Sequence, residues 1–168
     1  ESSPVEELQT VGSNWQAKTP KGVIAASKVI LAVNGNIENF GYFKNSLLHV
    51  YTYGSITQKL TPEEIISLGG RKECGLTPAD PLGTTVRSIC GTGGDRIVIR
   101  NRFTYNPNMS PNKSILDNVL RSHVKSFSDR FPMLKDIKLT QTWGGHLTLS
   151  RHNVAACGEL NPGLFSAG

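Results

Sequence analysis

The residues best suited to chemistry are a glycine-rich stretch, four histidines, three cysteines and a group of arginines. Gly91-Thr92-Gly93-Gly94 has the density of a phosphate-cradling loop. In a G-x-G-x-x-G fingerprint, however, the third glycine would fall at Arg96, and no helical pattern follows, so the stretch reads as a hairpin turn. His49, His123, His146 and His152 lack metal-ligand spacing among themselves or with Cys74, Cys90 and Cys157, and no metal is expected. His123 falls inside a helical pattern and reads as surface or core filler. The cysteines are odd in number, far apart and without a Cys-x-x-Cys pair, which predicts buried thiols in a reducing, cytoplasmic compartment. In that compartment the sequons Asn108-Met109-Ser110 and Asn112-Lys113-Ser114 are chance matches. Arg96, Arg100 and Arg102 alternate along a strand pattern and read as a charged sheet face. There is no Gly-x-Ser-x-Gly elbow and no Walker loop, so neither a serine hydrolase nor a P-loop nucleotide site is indicated.

These groups need elements to hold them. Trp15 to Thr19 alternates, Pro20-Lys21-Gly22 turns, and Val23 to Ala26 returns, which predicts a hairpin. Val29-Ile30-Leu31-Ala32-Val33, bounded by Asn34-Gly35, suits a strand buried on both faces of a parallel sheet. Residues 36–46 read as a polar loop and residues 48–60 as one long strand. Thr61-Pro62-Glu63-Glu64 carries a helix start: Thr61 caps, Pro62 fits the first turn and Glu64 reaches back. Gly69-Gly70 stops that helix early. Residues 71–83 read as a loop, and a second hairpin spans 84–90 and 96–103. The one long helix begins at Ser110-Pro111, with Ile115, Leu116, Val119, Leu120, Val124, Phe127 and Phe131 as its buried stripe, and Pro132 ends it. A strand over 137–149, interrupted at Trp143-Gly144-Gly145, and a last turn and strand within 158–168 complete the pattern. The fold class is α+β: a mostly antiparallel mixed sheet covered by one long amphipathic helix.

At 168 residues, 38% hydrophobic and 18% charged, the chain has the composition of a folded globular domain rather than a disordered one. No apolar run approaches the roughly 20 residues of a membrane span. The net charge of +5 is scattered along the chain instead of gathered on one segment, which argues against a nucleic-acid partner. Glu1-Ser2-Ser3-Pro4 has neither the basic flank nor the apolar run of a signal peptide, and no methionine precedes it. An internal piece of a longer protein is the expectation.

Three stretches carry a family resemblance. Thr19 through Gly35 resembles the segment T-x-x-G-x-x-x-A-x-x-V-I-L-A-x-x-G of the D-amino-acid oxidase superfamily. Thr57 to Thr61 looks like its T-x-P-L strand end, with Lys59 where proline is usual. Phe131-Pro132-Met133-Leu134, Trp143-Gly144-Gly145, Asn153 to Gly158 and Gly163-Leu164-Phe165 resemble the F-P-x-L, W-G-G, N-x-A-P-x-x-G and G-x-x series of gamma-glutamylputrescine oxidoreductase-like enzymes. Ala156 or Cys157 stands where proline is usual.

The resemblance implies an FAD-dependent oxidoreductase that oxidises an amine or amino acid by hydride transfer to a non-covalently held flavin. Residues 1–46 would then belong to the FAD-binding domain, 47–142 to the substrate-binding domain, and 143–168 would return to the FAD-binding domain. Asn34, Gly35, Trp143, Gly144 and Gly145 become cofactor-binding candidates. Tyr51, Tyr53, Arg100 and His146 become substrate candidates, Arg100 as a fork for a carboxylate. No residue is assigned a catalytic role. The expected partners are the small amine or amino-acid substrate and the remainder of the chain's own FAD domain. Lacking a phosphate-gripping glycine loop, this stretch alone is expected to hold FAD poorly. A self-standing, non-catalytic α+β binding module is the alternative, and a hydrolase is a third reading.

Overall fold

The computed structural model describes residues 2–80, 82–107 and 113–168. The chain divides into two compact units, one of Glu1–His49 with Leu147–Gly168 and one of Val50–His146. The architecture is α+β with mostly antiparallel sheets.

In the first unit β1 (Glu7–Val11), β2 (Asn14–Thr19) and β3 (Gly22–Ala26) form an antiparallel meander. The β2–β3 hairpin is the predicted one, paired from Trp15↔Ala26 to Thr19↔Gly22. β4 (Val29–Leu31) pairs in parallel with β12 (Leu164–Ser166), which forms a hairpin with β11 (Gly158–Asn161). The parallel pairing agrees with the sequence; burial on both faces does not. Leu31 is buried but Ile30 is 65% exposed, because β4 has a single strand neighbour and nothing among the described residues covers its other face. Residues 36–46 are not all loop either, since a 3-10 helix runs over Asn34–Phe40. Trp15, Leu31, Ile37 and Leu164 form the core of this unit, and the indole of Trp15 donates to the Pro162 carbonyl at 3.0 Å.

In the second unit the strand order is β10-β5-β8-β7-β6, from β5 (Leu47–Thr57), β6 (Cys74–Leu76), β7 (Thr85–Ile89), β8 (Arg96–Arg100) and β10 (Leu139–Ser150). β9 (Phe103–Tyr105) pairs with the other end of β5. β6 was expected as loop. Its three residues are all exposed and follow no alternation; they are strand because the edge of β7 offers them a ladder. α1 (Pro62–Ser67) has the predicted capping box: Thr61 Oγ1 accepts from the Glu64 N–H and Glu64 accepts from the Thr61 N–H at 2.7 Å. α2 (Lys113–Arg130) ends before Pro132, as predicted. Its predicted start at Ser110-Pro111, and the sequon asparagines 108 and 112, lie outside the described residues.

The expected stripe of α2 is corrected, since Ile115, Leu116, Leu120 and Phe131 are only half-buried. Val119 and Phe127 are buried, but Val124 is 46% exposed, and His123 takes the buried position between them. The spacing 119, 123, 127 is one helical face. Phe127 joins Leu60, Val86, Ile97, Ile99, Leu134 and Ile137 in the core of this unit. β10 is a second correction, because it runs unbroken through Trp143-Gly144-Gly145, where an interruption was expected.

Candidate functional site

Strand alternation sorts the second unit's sheet into two faces, and the predicted site residues divide between them. Cross-strand partners share a face. Ser55 is opposite Ile99, and Val86 is opposite Ile99, so Ser55, Ile99 and Val86 lie on the face covered by α2. Tyr51, Tyr53 and Thr57 follow Ser55 by alternation. Thr142 of β10 joins this face through its hydroxyl, 2.8 Å from Ser55 Oγ. Gly144 joins it too, since a Cβ there would sit 2.8 Å from the Tyr51 ring and 3.2 Å from the Tyr53 ring. The Tyr53 hydroxyl bonds to Thr104 at 2.7 Å, and the Tyr51 and His146 rings lie 6.0 Å apart.

The opposite face is open over part of its length, with Val50 buried at one end of it. Arg100 follows Ile99 within β8 and therefore leaves on this side, exposed. Trp143 leans over Gly54, with indole atoms 2.8 Å from where a Cβ would be, and stays 44% exposed. Phe103, opposite Thr52, is exposed beside them. Gly54 was not singled out from the sequence, although its role is plain here: only glycine lets a β10 indole lie flat across β5. Gly145 is on the same face, and its carbonyl accepts from Thr52 Oγ1 at 3.4 Å. The structure thus brings Arg100, Trp143 and Gly145 to one open face. It sets Tyr51, Tyr53, Gly144 and His146 on the other.

Behind the open face is a buried polar chain. Ser55 Oγ is 2.7 Å from His123 Nδ1 and 2.8 Å from Thr142 Oγ1. His123 is fully buried, and its imidazole pKa is lowered to about 4, first by loss of water and then by the positive charge of Arg102. Asn101 ties the β8–β9 connection to α2 through Ser126 at 2.7 Å.

The first unit has a cavity of about 460 Å³ lined by apolar Leu31, Ile37, Phe43 and Val154 and by polar Asn34, Thr148 and Ser166. Asn34 adopts φ 51°, and its side-chain oxygen accepts from the N–H of Gly35 at 2.8 Å. The hydroxyl of Thr148 is buried without a hydrogen-bond partner among the described residues. Apolar walls with one unspent polar group, the Thr148 hydroxyl, leave room for a flat ligand with a hydrogen-bonding rim. Gly35 is buried in the same 3-10 helix. At its far end Glu38 accepts from the Asn45 N–H at 3.1 Å and pairs with His49 Nε2 at 2.6 Å, which ties the helix to β5. No group of three or more His, Cys, Asp or Glu among the described residues is placed to hold a metal ion. No helix among them is long and apolar enough to cross a membrane.

No protein-family model matches the chain. The probable oxidoreductase OrdL of Haemophilus influenzae is 22% identical over 171 residues, covering 99% of this chain and 37% of its own length. Among solved structures, glycine oxidase from Geobacillus kaustophilus superposes with a TM-score of 0.69 at 16% identity, over 98% of this chain and 42% of that one. The glycerol-3-phosphate dehydrogenase of Bacillus halodurans, solved with FAD, superposes at 0.62 and 16% identity, over 98% of this chain and 34% of its own. The chain therefore spans well under half the length of these proteins. The likeness to these solved structures shows the fold, over 98% of this chain.

Proposed function

We propose that this chain is the central part of an FAD-dependent oxidoreductase acting on an amine or amino acid. The observation that carries the reading is the superposition over 98% of the chain on a glycine oxidase, at a TM-score of 0.69. The family motifs quoted above run in the same order along the sequence. FAD, when bound, would take a hydride from the carbon beside the substrate nitrogen.

The chain's own residues bind, orient and exclude water. Asn34, which lines an apolar cavity with the spare Thr148 hydroxyl, and Gly35 beside it in the chain are the cofactor residues best supported by geometry. Trp143 and Gly145 offer a flat wall on the open sheet face, where a ring and a close backbone suit a planar partner. Arg100, exposed on that face, presents a fork of donors to a carboxylate. Tyr51, Tyr53, Gly144 and His146 shape that wall from behind, through strand spacing. The substrate nitrogen must be neutral to release hydride, and an aromatic, partly desolvated wall favours the neutral form. Cys74 and Cys157 are exposed and Cys90 half-buried, not buried as expected, but none pairs with another cysteine, which supports a reducing, cytoplasmic setting.

Purifying the polypeptide encoded by the whole reading frame tests this reading. It should be yellow, release FAD on denaturation, and bleach anaerobically when amino acids or primary amines are supplied. A colourless protein that takes up no FAD would overturn the proposal in favour of a binding module.

A further inference from the structure

The buried chain of Ser55, His123 and Thr142 stands back to back with the contact between Gly54 and Trp143. Ser55 follows Gly54 in β5, and Thr142 precedes Trp143 in β10, so the two contacts are adjacent rungs on opposite faces. We infer that His123 is a positioning residue: held as the neutral tautomer with its proton on Nδ1, it donates to Ser55, which donates to Thr142, and the chain fixes β10 against β5 so that Trp143 lies over Gly54. The link to substrate rests on the function proposed above; the lock itself does not.

Three observations carry the inference. The distances, 2.7 Å from His123 Nδ1 to Ser55 Oγ and 2.8 Å from Ser55 Oγ to Thr142 Oγ1, leave Ser55 shared between two partners. A hydroxyl has one proton to give, so it accepts from one partner and donates to the other. The second observation is His123 Nε2, buried and without a hydrogen-bond partner among the described residues. A proton there would be a buried donor with nothing to receive it, whereas a bare nitrogen costs less. The third is Arg102, whose positive charge acts on the ring and disfavours a second proton on it. The opposite tautomer would need Ser55 to donate to the ring and would strand the Nε2 proton.

A shared hydroxyl of this kind specifies register. Sliding β10 by one residue turns Thr142 to the open face and Trp143 inward.

Long-range proton–nitrogen correlation spectra of the histidine-labelled chain test the tautomer, with His123 identified by the signal that His123→Gln removes. The expected pattern at neutral pH is a protonated Nδ1 and a bare Nε2. A protonated Nε2, or a doubly protonated ring, overturns the inference. The second arm reads Trp143 by its fluorescence in a Trp15→Phe background. His123→Leu removes the donor and should raise quenching of Trp143 by acrylamide, while His123→Gln retains a donor and should restore the parental value. Equal quenching in all three folded proteins overturns the positioning role. Neither arm uses flavin or substrate, so failure of the enzyme reading alone leaves both expected results unchanged.

Discussion

The two faces of the second unit's sheet are built from the same strands and hold opposite kinds of surface. The face under α2 buries Tyr53, Ser55, Thr57, Val86, Ile97 and Ile99, and nearly every polar group on it is paired. The other face leaves Arg100, Phe103 and Trp143 exposed. Burial under a helix demands side chains that fit and polar atoms that are satisfied. An open face carries no such demand, so aromatic and cationic residues retained there are free to meet a ligand. The comparison therefore assigns stability to one face and leaves the proposed recognition to the other.

The sharpest way to break that assignment is truncation in the covered face. Phe127→Ala removes a fully buried ring and should cost about 3–5 kcal/mol, seen as a lower urea midpoint. Val124→Ala, at a half-exposed position three residues before Phe127, should change stability by no more than about 0.5 kcal/mol. Equal losses at the two positions would contradict the burial of α2 described above.

Acid is the next lever. The His123 pKa falls from 6.5 unfolded to about 4 folded, so between those values the unfolded chain binds more protons. Stability should then be full above pH 6.5 and fall as pH drops toward 4, by up to about 3 kcal/mol. Denaturation midpoints at pH 7 and pH 4.5 check it, and His123→Gln should flatten the slope. The helix cap supplies a smaller effect. Thr61→Ala removes the side-chain acceptor of the capping box and should cost about 1 kcal/mol, measured by the same unfolding curve. Smallest is the pair of Arg71 with Asp95, where the arginine is largely exposed; Arg71→Met should leave the unfolding curve close to the parental one.

Much of the fold was legible because local rules and tertiary context agree. The capping box at Thr61 and Glu64, the β2–β3 hairpin and the β7–β8 hairpin each have their own sequence signal and appear where it places them. Elements without such a signal were missed. β6 is strand only because β7 needs a neighbour, and Gly144-Gly145 reads as a bend until the tyrosine rings of β5 fill the space beside it. The site was legible as residue types but not as faces. Whether Arg100 and Tyr51 share a side depends on pairing register, which alternation within one strand cannot supply. His123 could have been found from its i, i+4 spacing with Val119 and Phe127, but a histidine in an apolar stripe reads as filler until Ser55 and Thr142 are seen beside it.

The account's central claim is that the open face, with Arg100 and Trp143, meets the substrate of a flavin-dependent oxidation. Rapid-mixing measurements of anaerobic flavin reduction in the whole-frame polypeptide test it directly, taken across a range of substrate concentrations. Trp143→Ala should weaken substrate binding by tenfold or more, equivalent to about 1.4 kcal/mol, while Tyr53→Phe, on the covered face, should leave binding unchanged and lower only stability. The reverse outcome, parental binding in Trp143→Ala and weakened binding in Tyr53→Phe, would contradict the account.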